Sequence, residues 1–144
     1  MKYLFILISF LSFIQFSLAA EKAYTLQSGD ASLSVVKDGK RLSLQTGNAH
    51  YLSLNAPYVV TLEVNAETLN GYYSSVKEEK GSLVCIAKLK SSHGTVFHVK
   101  DVFAPDTENH FRMDREVTIE KIGKGDDYFN SYFGLTLQRK TQIE

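Results

Sequence analysis

The chain has 144 residues, with 16 Lys and Arg against 16 Asp and Glu, four His, one Cys and no Trp. That length is one domain of ordinary size. The even charge excludes the basic balance that nucleic acid or an anionic membrane surface calls for, and a lone cysteine excludes an internal disulfide framework.

Residues 1–20, MKYLFILISFLSFIQFSLAA, have a basic start at Lys2, an apolar run from Tyr3 to about Phe16, and small residues at Ala19 and Ala20. This is the layout of a secretory signal peptide. Ser9, Ser12, Gln15 and Ser17 interrupt the run, which is short beside the roughly 20 apolar residues of a membrane span. The expectation is a cleaved signal and an exported protein, periplasmic or extracellular, with no membrane contact after cleavage; an uncleaved anchor is the alternative. Residues 21–144 then form the mature domain. Loss of Lys2 takes the basic count from 16 to 15 against 16 acidic residues, still near neutrality.

After residue 20 the pattern alternates with period two and no helical stretch stands out. AYTLQS places Tyr24 and Leu26 on one face. ASLSVVK and KRLSLQT flank Asp38-Gly39, a short hairpin signal. YLSLN follows, then Pro57, then YVVTLEV with Val60, Leu62 and Val64 on one face. NAETLNG reads as a connection with a turn at Asn70-Gly71, and YYSSVKEEK as the next strand. SLVCIAKLK is apolar on both faces at its start, as a central strand is. Cys85 shares a face with Leu83, Ala87 and Leu89 there, so it reads as a small buried hydrophobe.

The last third reads as three long strands of 11 to 13 residues: GTVFHVKDVFA, HFRMDREVTIEKI and DYFNSYFGLTLQR. Strands typically run to about 5–6 residues, so three in succession predict a large curved antiparallel sheet. GKGDD at 123–127 lacks the third glycine and the following helix of a phosphate cradle and reads as a hairpin loop. In all, nine or ten strands predict an all-β fold, an antiparallel β-sandwich with long C-terminal strands. The alternation still running at Leu135, Leu137 and Arg139 points to a domain followed by more protein.

Five charges lie within HFRMDREVTIEKI between residues 112 and 120. Alternation puts Arg112, Asp114, Glu116 and Glu120 on one face, as on a solvated sheet surface. A second reading makes Asp114 and Glu116 a carboxylate pair for glycoside hydrolysis; a pair on one face of one strand, however, does not grip a glycosidic bond from two sides. Arg115 falls on the apolar face, where an unpaired charge is costly. Asp101 is its expected partner, since it shares a face with Phe97, Val99 and Phe103; lining a cleft against a second domain is the alternative. The histidines at 50, 93, 98 and 110 lack metal-ligand spacing, although His98 and His110 could face each other across a hairpin. No Gly-x-Ser-x-Gly elbow is present. No cofactor, metal or catalytic residue is expected. Tyr128, Asn130 and Tyr132 share the face opposite Phe129 and Phe133; tyrosine with asparagine can stack on and hydrogen-bond a sugar, or pack on a neighbour. With Arg115, these three are the candidate substrate-binding residues.

Three motifs carry a resemblance: V-x-D-x-[FY] at Val99 to Phe103, FRMDREVTI at 111–119 and DDYFNSYF at 126–133. Together they resemble the N-terminal β-supersandwich domain of secreted bacterial six-hairpin glycosidases, in which the catalytic carboxylates lie on an α/α toroid. The resemblance implies a non-catalytic domain of an exported carbohydrate-active enzyme, in contact with a downstream catalytic domain and shaping its cleft. A stand-alone secreted module binding glycan or protein, and a small complete enzyme using Asp114 or Glu116, are the competing expectations.

Overall fold

β-Branched and aromatic residues at alternate positions favour a pleated, half-buried backbone, and the computed structural model follows that pattern through residues 22–45, 52–54, 58–133 and 137–139, which it describes. The signal-like residues 1–20, Pro57 and residues 140–144 lie outside them. Among the described residues there are twelve strands and no helix. They are β1 (Ala23–Ser28), β2 (Ala31–Val36), β3 (Leu42–Gln45), β4 (Leu52–Leu54), β5 (Val60–Val64), β6 (Glu67–Gly71), β7 (Ser75–Glu79), β8 (Ser82–Lys90), β9 (Val96–Pro105), β10 (Phe111–Lys121), β11 (Phe129–Tyr132) and β12 (Leu137–Arg139). All pairings are antiparallel, in sheets ordered β1-β2-β3, β10-β9-β8-β7, β11-β5-β6 and β12-β4.

One apolar cluster unites three of these sheets. It takes Leu26, Leu33 and Leu42 from the first, Leu83, Val99 and Phe103 from the four-stranded sheet, and Val60, Leu62 and Leu69 from the β11-β5-β6 sheet. The architecture is all-β and sandwich-like. β8 is central, between β7 and β9, with Leu83, Cys85 and Ala87 fully buried, as its apolar sequence predicts.

Three connections are two-residue turns with left-handed backbone: Gly29-Asp30 (φ 55° at Gly29), Asn65-Ala66 (φ 45° and 69°) and Lys80-Gly81 (φ 49° and 75°). Such turns match the twist of hairpin strands. The Asp38-Gly39 signal does connect β2 to β3, with Gly39 at φ 72°. The Asn70-Gly71 turn does not exist: both residues lie inside β6, and the chain reverses at Asn65-Ala66 instead. Burial of Leu69 against the core holds 67–71 extended.

The final third corrects a larger expectation. β9 and β10 do form a long hairpin, in register from Phe111–Pro105 to Ile119–Phe97, with a bulge before Lys121. The stretch 127–139 is not a third long strand beside them. It contributes β11, which pairs with β5, and β12, which pairs with β4. Residues 123–127 are therefore a crossover between sheets rather than a hairpin loop. Gly123 passes so close to His93 that a Cβ would sit 2.3 Å from that carbonyl oxygen. Gly125 follows at φ 87°. Asn65 Nδ2 donates to the Gly125 carbonyl (2.5 Å), and Asn65 Oδ1 accepts from Asp127 N and Tyr128 N (3.3 and 3.4 Å). That side chain fixes where β11 begins, and Phe129 then packs on Phe97 across the core, ring centroids 5.3 Å apart.

Candidate functional site

Arg115 is directed into the molecule, as its place on the apolar face requires. Its register partner on β9 is Asp101. Arg115 Nε donates to Asp101 Oδ1 and Nη2 to Oδ2, both at 2.6 Å, the forked geometry that makes Arg–carboxylate pairs strong. The Asp101 side chain is fully buried and that of Arg115 is 10% exposed. Tyr73 Oη donates a further hydrogen bond to Asp101 Oδ2 at 2.5 Å. The remaining guanidinium nitrogen, Nη1, donates to the Tyr132 carbonyl at 2.7 Å and to Ser131 Oγ at 3.2 Å, and the Phe133 ring lies 5.9 Å away. The group is a clamp: β9 holds the acid, β10 the base, and β11 of the other sheet is tied to the base.

The electrostatics of the clamp follow from its burial. Burial alone would depress the Arg115 guanidinium, but the hydrogen bonds and charge of Asp101 outweigh it and the net direction is up. Burial, then the Asp101 charge, drives the Tyr73 hydroxyl far above the ordinary phenol range. The same causes push the Cys85 thiol, opposite Asp101 in register, up to about 12. Tyr73 and Cys85 are therefore neutral at physiological pH, and neither is an activated nucleophile.

A second polar centre anchors the crossover. Asp126, with 4% of its side chain exposed, accepts from Ser91 Oγ at 2.6 Å and from Thr95 Oγ1, and meets His93 Nδ1 at 2.9 Å. Hydrogen bonds from Ser91 and Thr95, aided by His93, lower its pKa to about 2. Nearby, Glu67 accepts from the backbone and hydroxyl of Ser92. Both acids lie far in sequence from their partners, and no local pattern announced either contact.

Tyr128, Asn130 and Tyr132 take the opposite course from Arg115. β11 alternates, so Phe129 turns to the core while Tyr128 (56% exposed) and Tyr132 (47%) face outward with Asn130. The register sets Asn130 opposite Glu63 and Tyr132 opposite Thr61. On the far side of β5, Thr61 is paired with Asn70, and its hydroxyl donates to Asn70 Oδ1 at 2.9 Å. Tyr132 Oη donates to Glu63 Oε2 at 2.9 Å, and that hydrogen bond raises the phenol pKa. Tyr72 continues the outward alternation of β6, and its ring meets that of Tyr58 at 5.5 Å between centroids. The result is an exposed sheet face of tyrosines, amides and hydroxyls with Glu63 as its charge. The four candidate residues thus divide: Arg115 belongs to the buried clamp, and the other three stand together on this face. Glu63, Thr61 and Asn70 join them only through strand pairing.

The outward face of the four-stranded sheet differs in character. Arg112 Nε donates to Asp114 Oδ2 at 3.0 Å with both side chains exposed. Glu120 meets Lys88 at 2.7 Å and His98 at 2.5 Å, and their hydrogen bonds, that of Lys88 first, lower its pKa. His98 pairs in register with Thr118, not His110, which lies in the β9–β10 turn with Nδ1 against the Glu108 carbonyl. Among the described residues no three His, Cys, Asp or Glu side chains are grouped to hold a metal ion. Neither a protein-family model, nor a curated protein, nor a solved structure matches the chain.

Proposed function

We propose that the chain is a non-catalytic, supersandwich-like β-sandwich domain of an exported carbohydrate-active enzyme, packing against a separate catalytic domain and helping to shape its substrate cleft. One observation carries the reading. The three motifs behind the glycosidase resemblance meet at a single clamp: Asp101 from the first, Arg115 from the second, Ser131 and the Tyr132 carbonyl from the third. They act as one structural unit rather than as three independent likenesses. The apolar side of β10 adds support. Phe111, Met113 and Val117 are only half-buried, while Ile119 and Phe133 are each 41% exposed. Phe111, Met113 and Phe133 border an apolar hollow of about 250 Å³ with Leu33, Leu42 and Leu44. A neighbouring domain would cover such a surface. The signal-like residues 1–20 support export to the periplasm or beyond the cell.

The coding sequence past codon 144 tests this reading. A following helical toroid is the expected result; a stop codon directly after Glu144, or glycoside turnover by purified residues 21–144 alone, would overturn it. The second reading, a stand-alone secreted module that binds glycan or protein, is favoured by the tyrosine-bearing face of β11-β5-β6.

A further inference from the structure

We infer that the outward face of the β11-β5-β6 sheet is a binding site for uncharged glycan, with Tyr128 and Tyr132 as stacking surfaces and Asn130, Glu63 and Asn70 as hydrogen-bonding groups between and beside them. The inference rests on the carbohydrate-directed reading above, but not on the presence of a catalytic domain. Both rings are exposed, Tyr132 on β11 and Tyr128 just ahead of its first residue, four residues and about 13 Å apart at the rise of an extended backbone. That spacing leaves room for more than one sugar ring along β11. A pyranose offers an apolar C–H face and a rim of hydroxyls, which match a tyrosine ring and its polar neighbours. Tyr132 is held in place from below: its hydroxyl is fixed on Glu63, and its backbone carbonyl is fixed on Arg115. A preset ring loses little freedom when a ligand binds.

Charge decides the class of glycan. The outward positions of β11, β5 and β6 are Asn130 and Tyr132, Thr61 and Glu63, and Thr68 and Asn70, so no Lys or Arg stands among them. A uronate or sulfate would meet the Glu63 carboxylate and, among the described positions of this face, no cation, whereas an uncharged sugar finds acceptors in Glu63 and amide groups in Asn130 and Asn70. The outward face of the four-stranded sheet, with Lys88, Lys100, Arg112, Asp114, Glu116 and Glu120, has the opposite character and serves as the internal control.

Affinity electrophoresis of purified residues 21–144 tests the proposal, in gels containing soluble β-glucan, galactomannan or arabinoxylan, with polygalacturonate as the acidic counterpart. At least one neutral polymer should retard the protein, and polygalacturonate should not. Tyr128→Ala and Tyr132→Ala should each weaken retardation by about fivefold or more, Tyr132→Phe should keep most of it because the ring remains, and Arg112→Ala should leave it unchanged. Unaltered thermal midpoints show that each variant is folded; Tyr128→Ala, remote from the clamp, decides the matter if Tyr132→Ala is unstable. No retardation by any neutral polymer, equal retardation by polygalacturonate, or undiminished binding by Tyr128→Ala would overturn the inference. So would a dimer in solution that Tyr128→Arg dissociates, because the face would then be covered by a second copy. None of these outcomes bears on whether a toroid follows in the gene, so the two proposals fail separately.

Discussion

Asp101 accepts three hydrogen bonds with none of its side chain open to water. Removing one partner of such a pair leaves a buried charge uncompensated, so Asp101→Asn should cost about 3–5 kcal/mol by chemical denaturation. Replacing both partners with apolar side chains, as in Asp101→Leu with Arg115→Met, should cost less than the sum of the single changes. Additive effects in that cycle would show that the clamp does not act as a unit. Asp126 makes the opposite kind of contribution, one that pH can remove. Its carboxylate pKa is lowered from 3.8 to about 2 in the folded protein. The stabilisation is therefore fully present above about 3.8 and is lost as pH falls through about 2. The thermal midpoint should decline across that window, and Asp126→Asn should flatten that part of the curve.

At the scale of elements, the β2–β3 turn shows how a local device is joined to the core. Gly39 has φ 72° and its added Cβ would lie 1.9 Å from the Tyr73 carbonyl oxygen. Its own carbonyl accepts from Tyr73 N at 3.0 Å, so the turn helps seat the residue whose hydroxyl reaches Asp101. Gly81 has almost the same φ, 75°, but open space around it. Gly81→Ala should therefore cost only the backbone strain, about 1–2 kcal/mol, and Gly39→Ala distinctly more. Comparable unfolding midpoints for the two variants would contradict the tight approach to Tyr73. The crossover at 123–127 obeys the same logic. Its close pass by His93 and its bonds to Asn65 commit β11 to the second sheet, although the local alternation would equally suit a strand beside β10.

Across the whole molecule, order should decline from the centre of the four-stranded sheet toward its edge. β8 and β9 are each flanked by strands on both sides, with Leu83, Cys85, Ala87, Val99 and Asp101 inaccessible. β10 is flanked on one side only among the described residues, and its inner face is half-covered. Hydrogen exchange should be slowest in β8 and β9 and faster along β10, whose outer amides have no ladder partner among the described residues. Uniform protection across the three strands would mean that β10 is covered after all. Its outward charges, Arg112, Asp114, Glu116 and Glu120, suit an edge that must not recruit another strand.

Which side of β5, β9, β10 and β11 faces the core could be read from the residues alone, because period two is a property of the extended backbone and needs no knowledge of the neighbours; β6, read as a turn, escaped it. Alternation separated Phe129 and Phe133 from Tyr128 and Tyr132. It assigned the charges of β10 to the wet face, and it left Arg115 in need of an acid that Asp101, on the apolar face of its own strand, could supply. Pairing lay beyond that reach. Only the folded chain set Glu63 beside Tyr132, brought Tyr73 to Asp101, carried Asp126 to Ser91 and Thr95, and sent residues 129–132 and 137–139 to different sheets. Those contacts join positions far apart in the chain, and they are selected by how the sheets close over a shared core, which a local pattern does not encode.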